Sequence, residues 1–133
     1  MPEKTNVLLA TTEDHIFQEI SASLSKNHQI IRVKEGVKVL KTLIETAPIL
    51  VILDLQIGNM GGMATSLNLR LEQRAGRIPS QKILMLLDRQ ADEFLGERSE
   101  ADSWIVKPID PLSLSQQVDV LINSKISGSG AAW

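Results

Sequence analysis

The sequence contains no cysteine, and its aromatic residues are limited to two tryptophans and two phenylalanines. Without cysteine the chain has no disulfide bonds, no thiolate ligands for a metal ion and no cysteine nucleophile. An excess of positive charge is also absent, since the formal net charge is −2. This charge gives no field that attracts nucleic acid or anionic lipid, so we expect no direct contact with nucleic acid.

Long apolar runs are missing as well. No stretch approaches the roughly 20 apolar residues needed to span a bilayer, and residues 1–6 lack the apolar middle region of a secretory signal. We therefore expect a soluble, cytoplasmic protein with no membrane partner. The 133 residues suffice for one domain, which we assign to residues 1–126, and the small residues of 127–133 predict a flexible C-terminal tail.

Short apolar runs alternate with segments of helical periodicity along the chain. This alternation predicts βαβ units around a parallel sheet. Right-handed crossovers between the strands give a doubly wound sheet with helices on both faces. The five predicted strands are residues 7–10, 30–33, 49–53, 83–87 and 104–106.

The predicted helices differ in how many large apolar residues they carry on the face expected to pack against the core. The fourth, residues 90–100, has only Phe94 and Leu95 as large apolar residues and Gly96 in its middle, so we expect it to be short or mobile. Asp110-Pro111 predicts the start of the fifth helix. For the first three helices the predicted core faces are Ile16, Ile20 and Leu24; Val37, Leu40 and Ile44; and Met63, Leu67 and Leu71.

Polar residues follow several predicted strands, at the edge where ligands bind in folds of this kind. The third strand ends on Asp54, and Gly58, Gly61 and Gly62 supply backbone freedom for a tight loop after it. The first strand is followed by residues 11–14, Thr-Thr-Glu-Asp, and the fifth by Lys-Pro at 107–108. A lone carboxylate beside a core is costly, so these groups predict a chemical site.

Residues 54–62 and 104–108 together resemble the phospho-acceptor loop and the lysine–proline turn of response-regulator receiver domains, and the likeness extends over about residues 6–124. The resemblance implies a flavodoxin-like or CheY-like (βα)5 three-layer sandwich and a role in phosphorelay, or two-component, signal transduction. It also implies that Asp54 is the phosphoacceptor and that Lys107 is the partner of the phosphoryl charge.

The sequence departs from that family at the companions of Asp54. The resemblance implies an acidic pair after the first strand as magnesium ligands and a threonine or serine after the fourth; these positions match Thr11, Thr12 and Leu87. Hydroxyls are poor magnesium ligands compared with carboxylates, and leucine cannot bond a phosphoryl oxygen. We expect an atypical, degenerate receiver that is not an enzyme, requires no cofactor, binds Mg²⁺ weakly or not at all, and has impaired or absent phosphorylation.

Two roles are open for Glu13 and Asp14, which lie one and two residues beyond the degenerate pair. Either they lie at the start of the first helix, with Thr12 or Glu13 as N-cap, or they serve as surrogate metal ligands that preserve ordinary phosphorylation. Lys107 likewise has a second role open, a structural ion pair with Asp54.

Trp104 lies where the resemblance implies an aromatic switch residue, although a half-buried packing role is also open. A stand-alone receiver has to act through a protein partner, either a histidine kinase or a downstream effector. We expect contact through helix four, strand five and helix five, with a homodimer through that surface as an alternative. A small flavin- or phosphate-binding protein on the same fold is a further alternative, which the two acids after the first strand disfavour.

Overall fold

The computed structural model describes residues 4–124, so the predicted tail at 127–133 lies outside the described residues. Within them, strands and helices alternate along the chain. The strands are β1 (Thr5–Ala10), β2 (His28–Val33), β3 (Leu50–Asp54), β4 (Ile83–Leu87) and β5 (Ser103–Val106). The helices are α1 (Asp14–Leu24), α2 (Val39–Thr46), α3 (Gly62–Arg74), α4 (Glu93–Arg98) and α5 (Pro111–Asn123), with 3₁₀ turns at Gly36–Lys38 and Gln90–Asp92.

The five strands form one parallel sheet in the order β2-β1-β3-β4-β5, which confirms the predicted doubly wound (βα)5 fold. The strand order reverses between β1 and β3, where Ala10 pairs with Leu53. The next residues along these two strands are Thr11 and Asp54. Asp54 therefore lies at the topological switch point, which is the usual ligand-binding edge of an open α/β sheet.

The two faces of the sheet bury different residues of the same strands, because successive side chains in a strand point to opposite sides. Residues such as Leu9, Ile52 and Leu86 pack with α1 and α5 in one cluster. Their neighbours, such as Leu53 and Leu87, pack with α2 and α3 in the other. Every residue of β3 and β4 is buried, as expected for central strands covered on both faces.

The predicted core face of α1 is confirmed. That of α2 is right only at Leu40, which packs against the core, and that of α3 is wrong. Val37, Ile44 and Leu71 are each more than half exposed. Helix α2 instead buries Val39 and Leu43. The 3₁₀ turn before it shifts the helical phase, because such a turn advances about 120° per residue rather than about 100°.

The face of α3 that lies against the protein is mostly small or polar. Its buried residues are Gly62, Thr65, Ser66, Leu69 and Arg70. The periodicity of large apolar residues therefore predicted the wrong face of this helix. Hydrogen bonds and close backbone contacts, more than apolar burial, determine the orientation of α3.

The last two helices follow the sequence more closely. Helix α4 has six residues and is short, as predicted, but Phe94 is 53% exposed and does not anchor it. In α5 the carboxylate of Asp110 accepts a 2.9 Å hydrogen bond from the backbone N–H of Ser113, which confirms the predicted N-cap. Within residues 4–124, no helix combines the length and the apolar character needed to cross a membrane.

Candidate functional site

The candidate site lies at the carboxyl edge of the sheet, where four strands end close together. Thr11 follows β1, Asp54 is the last residue of β3, Asp88 follows β4 and Lys107 follows β5. The Asp54 residue is 1% exposed, so its carboxylate is removed from solvent. Such a group requires hydrogen-bonding partners that replace water.

Both oxygens of Asp54 have protein partners. The Thr11 hydroxyl donates to Oδ2 over 2.8 Å. The Lys107 ammonium donates to Oδ1 over 2.8 Å, and the backbone N–H of Gln56 donates to the same oxygen over 3.2 Å. Hydrogen bonds to an ionised group are roughly twice as strong as neutral ones, so this carboxylate is well compensated without a bound ligand.

The Thr11 hydroxyl is held in one orientation. It is completely buried, and its oxygen accepts a 3.1 Å hydrogen bond from the backbone N–H of Glu13. A hydroxyl has a single hydrogen, which is thus free to point at Asp54. Thr12, the other residue of the degenerate pair, is exposed.

Lys107 joins the strand ends electrostatically. Besides Asp54, its Nζ atom lies 3.0 Å from Asp88 Oδ1 and 3.3 Å from Glu13 Oε2. Burial alone lowers the pKa of this ammonium, but the hydrogen bonds and charges of Asp54 and Asp88 outweigh burial and raise the pKa above its ordinary value. Lys107 is therefore a permanent cation at neutral pH.

Glu13 and Asp14 are separated by the structure. Glu13 is the N-cap residue of α1 and its carboxylate reaches Lys107, although its side chain caps no helix N–H. Asp14 bonds to Arg32 Nη1 over 2.8 Å, and that guanidinium holds the pKa of the Asp14 carboxyl below its usual range. Of the two predicted surrogate ligands, Glu13 shares the Lys107 ammonium with Asp54, whereas Asp14 pairs with Arg32.

The loop from β3 to α3 uses its residues differently from the prediction. Left-handed backbone angles occur at Asn59 (φ 49°) and Met60 (φ 83°), whereas Gly58, Gly61 and Gly62 have none. Gly62 is required for another reason, since a Cβ atom there would lie 2.5 Å from the carbonyl oxygen of Asp54. The start of α3 thus packs directly on the Asp54 backbone.

The residues around Asp54 do not fit a magnesium ion. Magnesium prefers octahedral oxygen ligands, with carboxylates supplying its charge. Here Asp54 Oδ2 accepts a hydrogen bond from the Thr11 hydroxyl, and Oδ1 faces the Lys107 ammonium. The carboxylates of Glu13 and Asp88 also pair with this ammonium and not with a metal site. Among residues 4–124, no group of three or more histidine, cysteine or acidic side chains is arranged to hold a metal ion.

Leu87 and Trp104 lie on the α2/α3 side of the sheet. Leu87 is fully buried in the apolar cluster there. Trp104 is half-buried, its Nε1 donates to Glu93 Oε2 over 3.2 Å, and a Cβ at Gly96 would come within 2.8 Å of its ring. The indole therefore packs closely against α4 in this conformation.

Three polar residues with important contacts were not predicted. The sequence did point to Asp88, because this acid directly follows the buried strand β4, much as Asp54 ends the buried strand β3. Arg32 and Arg70 had no such signal, since an arginine in a strand or helix is usually exposed. Arg70 is 7% exposed and bonds to Asp102 Oδ2 and the carbonyls of Glu100 and Gln81, each over 2.9 Å.

No protein-family model matches the chain, and no curated protein matches it by sequence. Solved structures do match. The receiver domain of a sensor histidine kinase from Pseudomonas aeruginosa, with magnesium coordinated in its active site cleft, has a TM-score of 0.81 and 15% identity, covering 92% of this chain and all of that one.

Two further structures give similar values. The chemotaxis response regulator CheY4 of Vibrio cholerae has a TM-score of 0.77 and 21% identity, covering 90% of this chain and 99% of its own. The BeF3-activated receiver domain of RstA from Klebsiella pneumoniae has a TM-score of 0.77 and 20% identity, covering 90% of this chain and all of its own. The chain therefore has the CheY-like fold of response-regulator receiver domains.

Proposed function

We propose that this chain is an atypical receiver module of two-component signalling, which acts in the cytoplasm through protein contacts and has no enzymatic activity of its own. The observation that carries the proposal is the state of Asp54, whose two oxygens are bound by Thr11 and Lys107 at the switch point of a receiver fold. In this proposal Asp54 is retained as part of an internal charge network, and magnesium-dependent phosphorylation is absent.

The donors on Asp54 oppose its use as a nucleophile. Attack on a phosphoryl group requires a carboxylate oxygen with a free lone pair aimed at phosphorus, and cations or hydroxyls that hold the other phosphoryl oxygens. The Thr11 hydroxyl occupies one lone pair of Oδ2, and Leu87, at the position that the resemblance gives to a threonine or serine, has no hydroxyl to hold a phosphoryl oxygen. Lys107 is then the remaining cation, and it is already shared among three carboxylates.

The surface for a protein partner is formed by α4, β5 and α5 in this proposal. Phe94 is 53% exposed, and the Arg98 guanidinium lies 5.8 Å from the centre of its ring. On α5, Val120 is 68% exposed beside an open groove of about 360 Å³. Aromatic residues and arginine are enriched at protein–protein interfaces. The proposed partner is a histidine kinase or a downstream effector.

Hydrogen bonds from α3 keep the end of α4 in place. The Ser66 hydroxyl donates to the carbonyl of Ser99 over 2.7 Å, and Arg70 holds the carbonyl of the following residue, Glu100. A partner surface with one fixed conformation suits a module that binds its partner without a conformational change driven by phosphorylation. A homodimer through the same surface is the alternative, and light scattering during gel filtration distinguishes it from a monomer.

Acetyl phosphate with magnesium tests the proposal. The wild-type protein and Asp54→Asn are incubated with both reagents and followed by intact mass and by ¹H–¹⁵N NMR. We expect no phosphoryl adduct on either protein and no magnesium-dependent shifts at residues 11–14 or 54–56. A wild-type adduct that Asp54→Asn lacks would overturn the proposal.

A second candidate function is an ordinary phosphorylated receiver in which Glu13 replaces the lost acids. It is favoured by one observation, the approach of the Glu13 carboxylate to the Asp54 site through Lys107. This candidate predicts that magnesium shifts the Glu13 and Asp54 signals, and that Glu13→Gln abolishes both those shifts and the adduct.

A further inference from the structure

An apolar groove of about 290 Å³ lies at the amino edge of the sheet, opposite the edge that holds Asp54. It is formed where α2 and α3 end, by the segments that lead into β3 and β4. Of the described residues that line it, six are apolar: Leu43, Ile44, Ala47, Pro48, Ile78 and Pro79. Leu43 and Ile78 are buried, whereas Ile44 is 62% exposed. A concave apolar surface with an exposed apolar residue beside it indicates a binding place for another apolar group.

The last described residue of the chain, Ser124, lies close to this groove. It follows α5 with an extended backbone (ψ 155°), so the helix ends there. The Lys82 ammonium donates to the Ser124 hydroxyl over 2.7 Å. Lys82 directly follows Gln81, which lines the groove. One lysine side chain and one peptide unit therefore connect Ser124 with the groove.

The sequence after Ser124 has the length and the apolar group that this position requires. Nine residues, 125–133, follow Ser124 and lie outside the described residues. Nine residues span at most about 30 Å, and a flexible Gly/Ser-rich chain of that length has a root-mean-square span of about 15–18 Å. The segment holds Trp133, one of the four aromatic residues of the sequence. Tryptophan has a large apolar surface that gains free energy on burial.

We propose that the groove binds the Trp133 indole of the same chain, with residues 125–132 as the tether. A short flexible tether gives an effective concentration in the millimolar range, so even a weak intrinsic affinity suffices. The Ser80 hydroxyl at the groove supplies an acceptor for the indole N–H, which needs a partner when it is buried.

Two other grooves adjoin α5 and suit the indole less. The groove between β5 and α5 has only Val120 and Leu121 as described apolar lining residues, beside an aspartate, a serine and two glutamines. The groove between α1 and α5 involves Leu112, near the start of α5. Helix α5 has 13 residues, so its start lies about 20 Å from its end, beyond the average reach of the tether.

Acrylamide quenching of tryptophan fluorescence tests the proposal. Trp104→Phe leaves Trp133 as the single tryptophan. In this background, Ile44→Glu places a charge in the groove, and Val120→Glu is the matched control in the competing groove. Both side chains are more than half exposed, so neither change removes core packing. If the effective concentration equals or exceeds the intrinsic Kd, Ile44→Glu should raise the quenching constant about twofold or more. Val120→Glu should leave it unchanged.

Three results would overturn the proposal. Equal quenching with and without Ile44→Glu would mean that the groove does not bind Trp133. A rise with Val120→Glu in place of Ile44→Glu would assign the indole to the other groove. Protection of Trp133 that grows with protein concentration would mean that the indole binds a second copy of the chain.

A second measurement leaves Trp104 in place, in case Trp104→Phe does not fold. The ¹H–¹⁵N NMR spectra of the wild type and Trp133→Ala are compared. We expect shift differences at residues 43–48 and 77–81. Differences confined to the residues beside position 133, or located at 102–103 and 116–121, would overturn the proposal.

This inference and the proposed function stand or fall separately, because the groove and Asp54 lie at opposite edges of the sheet. An unprotected Trp133 leaves the role proposed for Asp54 intact. A phosphoryl adduct on Asp54 leaves the binding of Trp133 intact.

Discussion

The Thr11 hydroxyl and the Asp54 carboxylate meet across the switch point of the sheet, 2.8 Å apart and both out of contact with solvent. The hydroxyl neutralises no charge, so Asp54 depends on Lys107 for its counterion. The threonine that stands at position 11, where receiver domains have an acidic residue, therefore acts directly on the chemistry of Asp54.

Thr11→Val should be destabilised by about 1–3 kcal/mol, because it keeps the shape of threonine but leaves Asp54 Oδ2 without its donor. Thr11→Ser retains the hydroxyl and serves as the matched control, with a smaller loss from the missing methyl group. Urea denaturation of the three proteins measures the difference. Equal stability of Thr11→Val and the wild type would mean that this hydrogen bond contributes nothing.

The stability supplied by Lys107 should disappear at alkaline pH. Its pKa is raised in the folded protein, and a raised folded pKa gives stability that is fully present below the unfolded pKa and lost as pH rises through the folded one. The free-energy gap between the wild type and Lys107→Met should therefore be steady near pH 7–9 and narrow above about pH 10.4. Urea titrations across this range test the prediction, which a gap that widens above pH 10 or so would contradict.

Gly62→Ala should destabilise the protein by about 1–3 kcal/mol or more, because its Cβ would lie 2.5 Å from the Asp54 carbonyl oxygen and force α3 away from β3. Gly58→Ala is the control in the same loop, since a Cβ there meets nothing within 4 Å. Thermal unfolding of both variants checks the contrast. If the two lose the same stability, backbone approach at Gly62 is not the cause.

Arg70→Met should cost about 3–5 kcal/mol, because it removes the guanidinium from a nearly buried set of acceptors that includes Asp102. Arg74→Met should change stability by about 1 kcal/mol or less, since its ion pair with Glu100 is exposed. Denaturant unfolding compares the two variants. Hydrogen exchange should also be faster at residues 99–102 in Arg70→Met, and unchanged exchange there would argue against its role in holding this segment.

Much of the fold was predictable, because the central strands are apolar throughout and the helical start at Asp110 has a local signal. The faces of α2 and α3 were not, since Val37, Ile44 and Leu71 form outward stripes that periodicity cannot distinguish from core. The positions of these helices are determined by contacts between residues that are distant in sequence, such as the close approach of Gly62 to the backbone of β3.

The candidate site was predictable in its centre and not in its surroundings. Strand ends identified Asp54 and Lys107 as neighbours, because parallel strands end at the same edge. The approach of Glu13 to Lys107 and the diversion of Asp14 to Arg32 depend on loop paths that no spacing in the sequence encodes.

Fluorine NMR of beryllofluoride, a phosphoryl analogue, tests most directly whether Asp54 lacks phosphoswitch chemistry. The wild type, Asp54→Asn and Thr11→Asp are each titrated with beryllofluoride and magnesium. For the wild type we predict only the signals of the free complex, at every magnesium concentration. A bound signal in the wild type that requires magnesium and vanishes in Asp54→Asn would contradict the account.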